Sequence, residues 1–310
     1  MSPAPAPLPW FAGINPGGSR IKAVVVDSEG RMLEDATIPF EDRDQQWAQL
    51  ILEWVQDLRA RRGWPTGLGL CAPGLASLDA RCIVHMPGRL LGLEGLDWAR
   101  HLGFPGRVPV LNDAHAALLG EAWIGAAQGL RNVTMLTLGT GVGGAALVDG
   151  RLLRGHLGRA GHLGHITLDW HAANDDVGTP GSLEMLIGTK TLRVRSQGRH
   201  GNTKDLVAAA LRGDLAALGV WNDSVDALAI GINSLINVLD PEAVILGGGI
   251  AQAGRPLFDR LEATLNRHEW RPMGHRVRLL PAALGDQAGA YGAAYHAIGS
   301  GPAVGSIANP

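Results

Sequence analysis

The sequence predicts an α/β protein with two lobes, and three observations lead to that prediction. Two hairpins with glycine-rich tips stand far apart in the chain, at residues 13–27 and 136–147. Short apolar strands alternate with amphipathic helices between and after them. With 310 residues and 46% hydrophobic content, the chain can bury two cores of medium size. We therefore expect two α/β domains rather than one.

Charge and cysteine content narrow the class of protein. A formal charge of -2 and an isoelectric point near 6.6 give no basic surface for nucleic acid or an anionic membrane, so we expect a small-molecule partner. Only Cys71 and Cys82 occur, which favours neither a disulfide framework nor a cysteine zinc site. No signal peptide and no uninterrupted membrane-spanning run is visible. These features predict a soluble cytoplasmic protein with disordered ends at residues 1–9 and 299–310.

The two hairpins share one kind of tip. The central one carries Gly139-Thr140-Gly141-Val142-Gly143-Gly144, and the first carries Gly17-Gly18-Ser19. Glycines let backbone amides approach a ligand closely, and a hydroxyl adds a further contact, so such a tip can wrap phosphate. Taken alone, each pattern also fits a plain tight hairpin. Two of them in one chain predict a nucleotide clamp.

The remaining elements of the N-terminal half continue the α/β pattern. A turn at residues 27–30 and a strand at residues 32–40 extend the first hairpin into an antiparallel meander. Apolar spacing predicts an amphipathic helix over residues 45–61, followed by a strand at residues 67–71. A buried strand at residues 108–111 leads into a helix at residues 114–124.

Asn112 and Asp113 lie between that last strand and its helix. A carboxylate at the end of a strand lies where α/β sheets place their ligand chemistry. Aspartate is equally a favoured N-cap, so the same pattern fits a purely structural role for Asp113.

Three histidines follow the central hairpin: His156, His162 and His165. The spacing of the last two occurs among metal ligands, but no cysteine or carboxylate stands immediately nearby, so we favour a loop lining a polar pocket. Glu184 opens the next helix, where it either compensates the helix dipole or serves as a pocket carboxylate.

The C-terminal third predicts one further strand, a helix before it, and two helices after it, the first of which follows the glycine loop. An apolar stripe from Val225 to Leu239 indicates a core helix that stops before Pro241. A buried strand from residue 243 then reaches Gly247-Gly248-Gly249, which either lets a flat ligand such as adenine approach the backbone or forms a close-packed turn. A small-residue helix over residues 284–294 ends the fold.

Taken in order, these motifs resemble the ROK family (repressor, open reading frame, kinase), bacterial sugar kinases of the actin-like ATPase superfamily. The resemblance runs from about Gly13 to Ala297. It implies a two-lobed fold with ribonuclease-H-like halves and a cleft between the lobes. The small lobe would comprise residues 1–111 and a helix at about 286–298, the large lobe residues 112–285, and the tail residues 299–310. It also implies a homodimer.

The resemblance assigns roles to individual residues. It implies that ATP and Mg²⁺ are bound at Asn15, Gly17, Gly18, Ser19, Lys22, Gly139, Thr140, Gly141, Gly143, Gly247, Gly248 and Gly249, with Mg²⁺ held mainly by the ATP phosphates. It implies that the sugar is bound at Gly74, Asn112, His162, His165 and Glu184. Asp113 matches the family's catalytic aspartate, which takes the proton from the sugar hydroxyl as that hydroxyl attacks the γ-phosphate.

Four departures from the family pattern affect these same positions. Asn15 replaces an aspartate that helps to hold Mg²⁺, so we expect weaker metal binding and slower transfer. Residues 174–184 lack the cysteines of the family's zinc site, so we expect no zinc, a loop held by other contacts, and a His165 without its usual anchor. His162 replaces a sugar-binding carboxylate and Gly88 an asparagine, which would leave glucose under-bonded.

The sequence therefore predicts an ATP-dependent kinase that phosphorylates a hydroxyl of a sugar or sugar-like polyol. The alternative is a catalytically impaired sugar- or nucleotide-binding protein derived from such a kinase. The family's repressors carry a helix-turn-helix before the first hairpin, which starts here at Gly13, so DNA binding is not expected. The identity of the sugar, the hydroxyl that is phosphorylated and the choice between ATP and polyphosphate stay open.

Overall fold

In the computed structural model, which describes residues 8–300, the chain forms two packing units. The first comprises residues 8–128, 154–159 and 286–300, and the second residues 129–153 and 160–285. The predicted disordered ends fall mostly on residues 1–7 and 301–310, which lie outside the described residues, whereas residues 299 and 300 belong to the last helix.

Both units mix strands and helices. The first unit contains β1 (Trp10–Pro16), β2 (Arg20–Asp27), β3 (Met32–Pro39), α1 (Gln46–Arg62), β4 (Gly67–Ala72), β5 (Leu75–Ala76), β6 (Ile83–His85), α2 (Trp98–Leu102), β7 (Val110–Asn112), α3 (Asp113–Ile124) and α9 (Ala288–Ser300). The second contains β8 (Val133–Leu138), β9 (Val142–Val148), β10 (Arg151–Leu152), α4 (Leu183–Ile187), α5 (Thr189–Arg195), α6 (Thr203–Leu211), α7 (Leu215–Leu239), β11 (Ala243–Gly247), α8 (Arg255–His268) and β12 (Arg278–Pro281).

Each unit is built on a five-stranded sheet of the same topology. The strand orders are β3-β2-β1-β4-β7 and β10-β9-β8-β11-β12. In both sheets three antiparallel strands are followed by two strands that run parallel to the first. The glycine-rich hairpins β1–β2 and β8–β9 therefore occupy equivalent places. This repetition is the one expected of two ribonuclease-H-like halves.

Helices cover the sheets with the apolar faces that the sequence predicts. In the first unit Trp47, Ile51 and Leu58 of α1 enter a core that includes the sheet, which confirms the predicted amphipathic helix. In the second unit the stripe from Val225 to Ile236 on α7 is buried in a separate core. α7 begins at Leu215, before that stripe. The apolar pattern did not predict this first part of the helix, because its residues are less regularly apolar.

α7 is also, among residues 8–300, the one helix that is long and apolar enough to cross a membrane by length and composition. Within its most apolar window 44% of the residues are buried inside the structure. Because its buried face lies in the core of the second unit, α7 has the arrangement of a core helix.

α9 follows the second unit in the chain but packs in the first, against β1, β4 and α3. A Cβ at Gly13 would lie 1.9 Å from the carbonyl oxygen of Ala290, and a Cβ at Gly292 would lie 1.7 Å from that of Ala116. Only glycine allows backbones to come this close. The predicted close packing of a small-residue helix is therefore confirmed. Because α3 packs on α9, the first unit extends beyond the predicted lobe boundary at residues 111 and 112.

Candidate active site

The β1–β2 hairpin exposes its tip. The backbone N–H of Gly17 donates to the carbonyl of Arg20 at 2.9 Å and closes the turn, while Gly18 and Ser19 are exposed. The guanidinium of Arg89 lies over Gly18, where a Cβ would come within 2.2 Å of its Nη2. Sequence reasoning missed Arg89, which sets a cation beside the tip predicted to hold phosphate.

Asn15 and Lys22 face each other across the same hairpin. The ammonium of Lys22 lies 3.1 Å from Oδ2 of Asp286, and Oδ1 of Asn15 is buried without a hydrogen-bond partner among the described residues. An amide oxygen is a hard but uncharged ligand of the kind Mg²⁺ accepts. Of these two side chains, that of Asn15 fits a weakly held magnesium ion, to which its Oδ1 would supply an uncharged oxygen.

Asn112 ends β7 and caps α3. Its Oδ1 accepts hydrogen bonds from the backbone N–H groups of Ala114 and His115 at 2.9 and 3.2 Å, and its Nδ2 donates to the carbonyl of Gly74 at 3.0 Å. Gly74 has a φ of +100°, and a Cβ there would lie 2.5 Å from the carbonyl oxygen of His85, so the position requires glycine. Asn112 thus fixes the Gly74 loop to the start of α3.

Asp113 is the first residue of α3, whose N-cap is Asn112, and the Oδ1 of Asp113 also accepts a hydrogen bond from the backbone N–H of Ala114 at 2.9 Å. Its half-buried carboxylate directly follows β7. Since β7 and the adjacent strand β4 are parallel, their carboxyl ends lie at the same edge of the sheet. The helix N-terminus stabilises the ionised carboxylate. Burial and, secondly, the charge of Asp113 raise the pKa of the Cys71 thiol well above its usual value. Asp113 therefore places a carboxylate at the edge where α/β sheets bind ligands.

The β8–β9 hairpin is braced by the start of α5. The backbone N–H groups of Thr189 and Lys190 donate to the carbonyls of Gly139 and Thr140, both at 3.0 Å. Since two main-chain hydrogen bonds hold the tip, its backbone is preorganised rather than loose.

Glu184, in the first turn of α4, binds this hairpin too. Its Oε2 accepts a hydrogen bond from the backbone N–H of Val142 at 2.9 Å, and a Cβ at Gly141 would lie 2.1 Å from that oxygen. Glu184 thus lies in the first turn of a helix and directs its carboxylate to the hairpin, while its role as a pocket carboxylate stays a prediction.

The Gly247–Gly249 loop lies beside the end of β8, where that hairpin begins. The backbone N–H of Ile250 donates to the carbonyl of Leu138 at 3.0 Å. Gly248 has a φ of +85°, and its Cβ would lie 2.4 Å from the same carbonyl oxygen, whereas a Cβ at Gly249 would meet nothing within 4 Å. Close packing thus explains Gly248, and Gly249 is open to a ligand.

His165 is held by a carboxylate that sequence reasoning missed. Its Nδ1 lies 2.8 Å from Oδ2 of Asp175, whose side chain is fully buried. Burial alone would raise the pKa of the Asp175 carboxyl, but hydrogen bonds from His165 and from the amides of Thr179 and Val177 outweigh it and lower the pKa. The available signal was an acidic pair ten residues after His165, in the segment where the family has cysteines.

Hydrogen bonds close the loop after His165: Asp175 N–H donates to Thr179 O at 2.9 Å, and Gly181 N–H to Ala173 O at 3.0 Å. Residues 174–184 contain no cysteine, and residues 8–300 contain no group of three or more His, Cys, Asp or Glu side chains that could hold a metal. The absence of zinc stays a prediction.

The structure sorts the predicted site residues by unit. The first unit holds Asn15, Gly17, Gly18, Ser19, Lys22, Gly74, Asn112 and Asp113. The second holds Gly139, Thr140, Gly141, Gly143, His162, His165, Glu184, Gly247, Gly248 and Gly249. His156 falls in the first unit. The ligand-binding roles of these residues stay predictions.

Two ribonuclease-H-like halves, each with a glycine-rich hairpin, define an actin-like ATPase, which is the predicted fold. The model of the ROK family matches residues 11–299, and the chain belongs to this family.

Relatives of the chain include sugar kinases and a repressor. It is 30% identical over 311 residues to a glucokinase of Halalkalibacterium halodurans, which covers 91% of this chain and 93% of the relative. A ROK family glucokinase from Streptomyces griseus, in complex with glucose and AMPPNP, superposes with a TM-score of 0.78 at 27% identity, covering 94% of this chain and 99% of the other. The xylose repressor of Bacillus subtilis is 26% identical over 292 residues, which cover 91% of this chain and 75% of the repressor.

Proposed function

We propose that this protein is an ATP-dependent kinase that transfers the γ-phosphoryl group to a hydroxyl of a sugar or sugar-like polyol. The position of Asp113 carries the proposal. Asn112 is the N-cap of α3, and Asp113 places a carboxylate directly after β7, at the edge of the first sheet where α/β sheets bind ligands. The match to the ROK family and the sugar kinases among its relatives support it.

In this proposal Asp113 accepts the proton of the acceptor hydroxyl. The oxygen of that hydroxyl attacks the γ-phosphorus, and ADP leaves. Phosphoryl transfer depends mostly on positioning and charge neutralisation. Each hairpin tip offers backbone amides to phosphate, and Arg89 adds a positive charge beside Gly18. The open backbone at Gly249 would receive the adenosine. Asn15 would offer an uncharged oxygen ligand to Mg²⁺, which would neutralise the charge of the phosphates.

The substrate differs from glucose in this proposal, because two hydrogen-bonding groups of the family are missing. His162 stands in place of a carboxylate, and Gly88 has no side chain to contact a hydroxyl. A pocket that loses such groups leaves polar substrate atoms without partners, which strongly lowers specificity for the original sugar. We further propose that the protein acts in the cytoplasm as a homodimer.

ADP release tests the proposal directly. Purified protein with ATP and Mg²⁺ is offered hexoses, amino sugars, N-acetyl sugars and cyclitols, and polyphosphate replaces ATP in a parallel series. The proposal expects turnover with at least one acceptor, and with glucose a lower kcat/KM than with that acceptor. Absence of turnover across the panel, in protein that is folded and binds a sugar, would contradict it.

A second candidate is a sugar- or nucleotide-binding protein that has lost catalysis. Asn15 favours this candidate, since its neutral amide, whose Oδ1 has no hydrogen-bond partner among the described residues, replaces a charged metal ligand. The relative named xylose repressor also supports it, since that name describes a regulator rather than a kinase. Such a protein would show a ligand-induced rise in melting temperature without ADP release. Turnover with any acceptor would exclude it.

A further inference from the structure

We infer that Asp175 is a positioning residue that fixes the tautomer and orientation of His165, so that the Nε2 of this histidine accepts a hydrogen bond from a substrate hydroxyl. The inference rests on the proposed function for the identity of the ligand, but not for the state of the imidazole.

The contact between the two side chains dictates the tautomer. An ionised carboxylate only accepts hydrogen bonds, so the imidazole nitrogen 2.8 Å from Oδ2 of Asp175 must carry a proton. In neutral imidazole the second nitrogen is then an acceptor. The structure describes no hydrogen bond to the Nε2 of His165, and 27% of this side chain is exposed.

Asp175 is itself held in place, which makes it a firm support. Its other oxygen, Oδ1, accepts hydrogen bonds from the backbone N–H groups of Val177 and Thr179 at 3.0 and 2.8 Å. Its side chain is inaccessible to solvent. A buried carboxylate with three hydrogen bonds has little freedom to rotate, so the partner imidazole is restrained as well.

The backbone of His165 is restrained independently. His165 is the last residue of a 3₁₀ turn. In this turn a Cβ at Gly164 would lie 1.9 Å from the carbonyl oxygen of Val142, which belongs to the β8–β9 hairpin. The carbonyl of the next residue, Ile166, accepts a hydrogen bond at 3.0 Å from the N–H of Leu183, the residue that precedes Glu184 in the chain. His165 is thus anchored to both the hairpin and α4. Its Nε2 is a fixed acceptor on the same framework as Glu184.

Asp176 provides a matched contrast. It is the neighbouring carboxylate, its side chain is 69% exposed, and its recorded partner is the ammonium of Lys190 on the surface. An exposed ion pair contributes little to the stability of a protein. Asp176→Asn therefore changes the same charge at the next position without touching the imidazole.

Histidine tautomers can be read by ¹⁵N NMR without any turnover. In Asp175→Asn the side-chain oxygen can still accept from Val177 and Thr179, but an NH₂ group faces His165 and forces its Nδ1 to become the acceptor. The expected result is Nδ1–H in the native protein and in Asp176→Asn, and Nε2–H in Asp175→Asn, at alkaline pH. The chain has 11 histidines, so the His165 signals are assigned by their loss in His165→Gln. An Nε2–H tautomer in the native protein, or no change in Asp175→Asn, would overturn the inference.

A double-mutant cycle on acceptor binding shows whether Asp175 acts through His165. We expect Asp175→Asn to weaken binding of the best acceptor sugar about 10-fold, to leave the KM for ATP unchanged, and to have no further effect in His165→Ala. If Asp175→Asn weakened sugar binding equally in the His165→Ala background, Asp175 would not act through His165 and would be a structural residue only. If no sugar is turned over, the proposed function fails, while the tautomer result still decides the state of the dyad.

Discussion

At the scale of single residues, the structure separates neighbours that the sequence treats alike. Asn112 and Asp113 both follow a strand and precede a helix, and either could be the cap from sequence alone. The hydrogen bonds assign the cap to Asn112 and leave Asp113 on the first turn. In the same way Asp175 is buried against His165, whereas Asp176 is exposed. Side-chain direction, which sequence patterns do not encode, makes the difference.

Asn112→Ala should destabilise the protein by about 2 kcal/mol, because it removes an N-cap and leaves the carbonyl of Gly74 without its donor. Asn112 is 7% exposed, so water replaces these bonds poorly. Urea unfolding measures the loss. Asn112→Ser keeps a capping oxygen and should lose roughly half as much. Equal stability of Asn112→Ala and the native protein would show that the cap is not needed.

At the scale of elements, the central hairpin offers a steric test with its own control. In Gly141→Ala the new methyl group would displace the carboxylate of Glu184, which lies 2.1 Å from the Cβ position, and break its hydrogen bond to Val142. Because the displaced atom ends a flexible side chain, the fold should survive while kcat/KM for the acceptor falls at least about 10-fold, as for other misplaced site groups.

Gly139→Ala adds a methyl group in the same tip, but its Cβ meets nothing within 4 Å and does not displace Glu184. Because Gly139 belongs to the tip proposed to hold ATP, we expect its effect to fall on the KM for ATP and to leave the KM for the acceptor unchanged. A rise in the acceptor KM in Gly139→Ala as large as that in Gly141→Ala would mean that the tip itself, rather than the position of Glu184, is responsible.

α9 offers a second pair. In Gly292→Ala the Cβ would lie 1.7 Å from a backbone oxygen of α3, so the helices must separate, and we expect a loss of about 3 kcal/mol in stability. Gly299→Ala, in the same helix with open space around its Cβ, should be neutral or up to about 1 kcal/mol more stable. Thermal unfolding compares them. Equal melting temperatures for the two variants would contradict the close contact of α9 with α3.

Elements with a clear period were predictable, and those that depend on tertiary contacts were not. The two hairpins, α1 and the apolar stripe of α7 follow from spacing and turn residues. The sequence analysis did not predict α5 or α6, because short helices without a clear stripe are stabilised mainly by what they pack against. Arg89 was missed for a similar reason, since it gains its role from Gly18, which is distant in the chain. Asp175 was missed because the sequence does not show that its side chain turns towards His165.

At the scale of the whole molecule, one histidine should set the stability near neutral pH. Burial, together with the charges of Arg154 and Arg107, lowers the pKa of His296 to about 4. The unfolded chain binds this proton at about pH 6.5. Stability is therefore lost as the pH falls from about 6.5 towards 4, and this group contributes no further change below that range.

His296→Gln removes the proton-binding group. Its melting temperature should fall less than that of the native protein between about pH 7.5 and pH 5, a range that spans the usual imidazole titration. The carboxyls with lowered pKa, such as Asp226 and Glu242, lose their contribution only in more acidic solution and do not interfere. Identical pH dependence in both proteins would contradict the lowered pKa.

The central claim is that Asp113 accepts the proton of the acceptor hydroxyl, and Asp113→Asn tests it most directly. With the best acceptor from the panel, the account predicts a fall in kcat of about 10² to 10⁴, as for the loss of a general base, with acceptor and ATP affinities within a few fold of native. Since asparagine keeps the shape of the side chain but cannot take the proton, a kcat equal to that of the native protein would contradict the account.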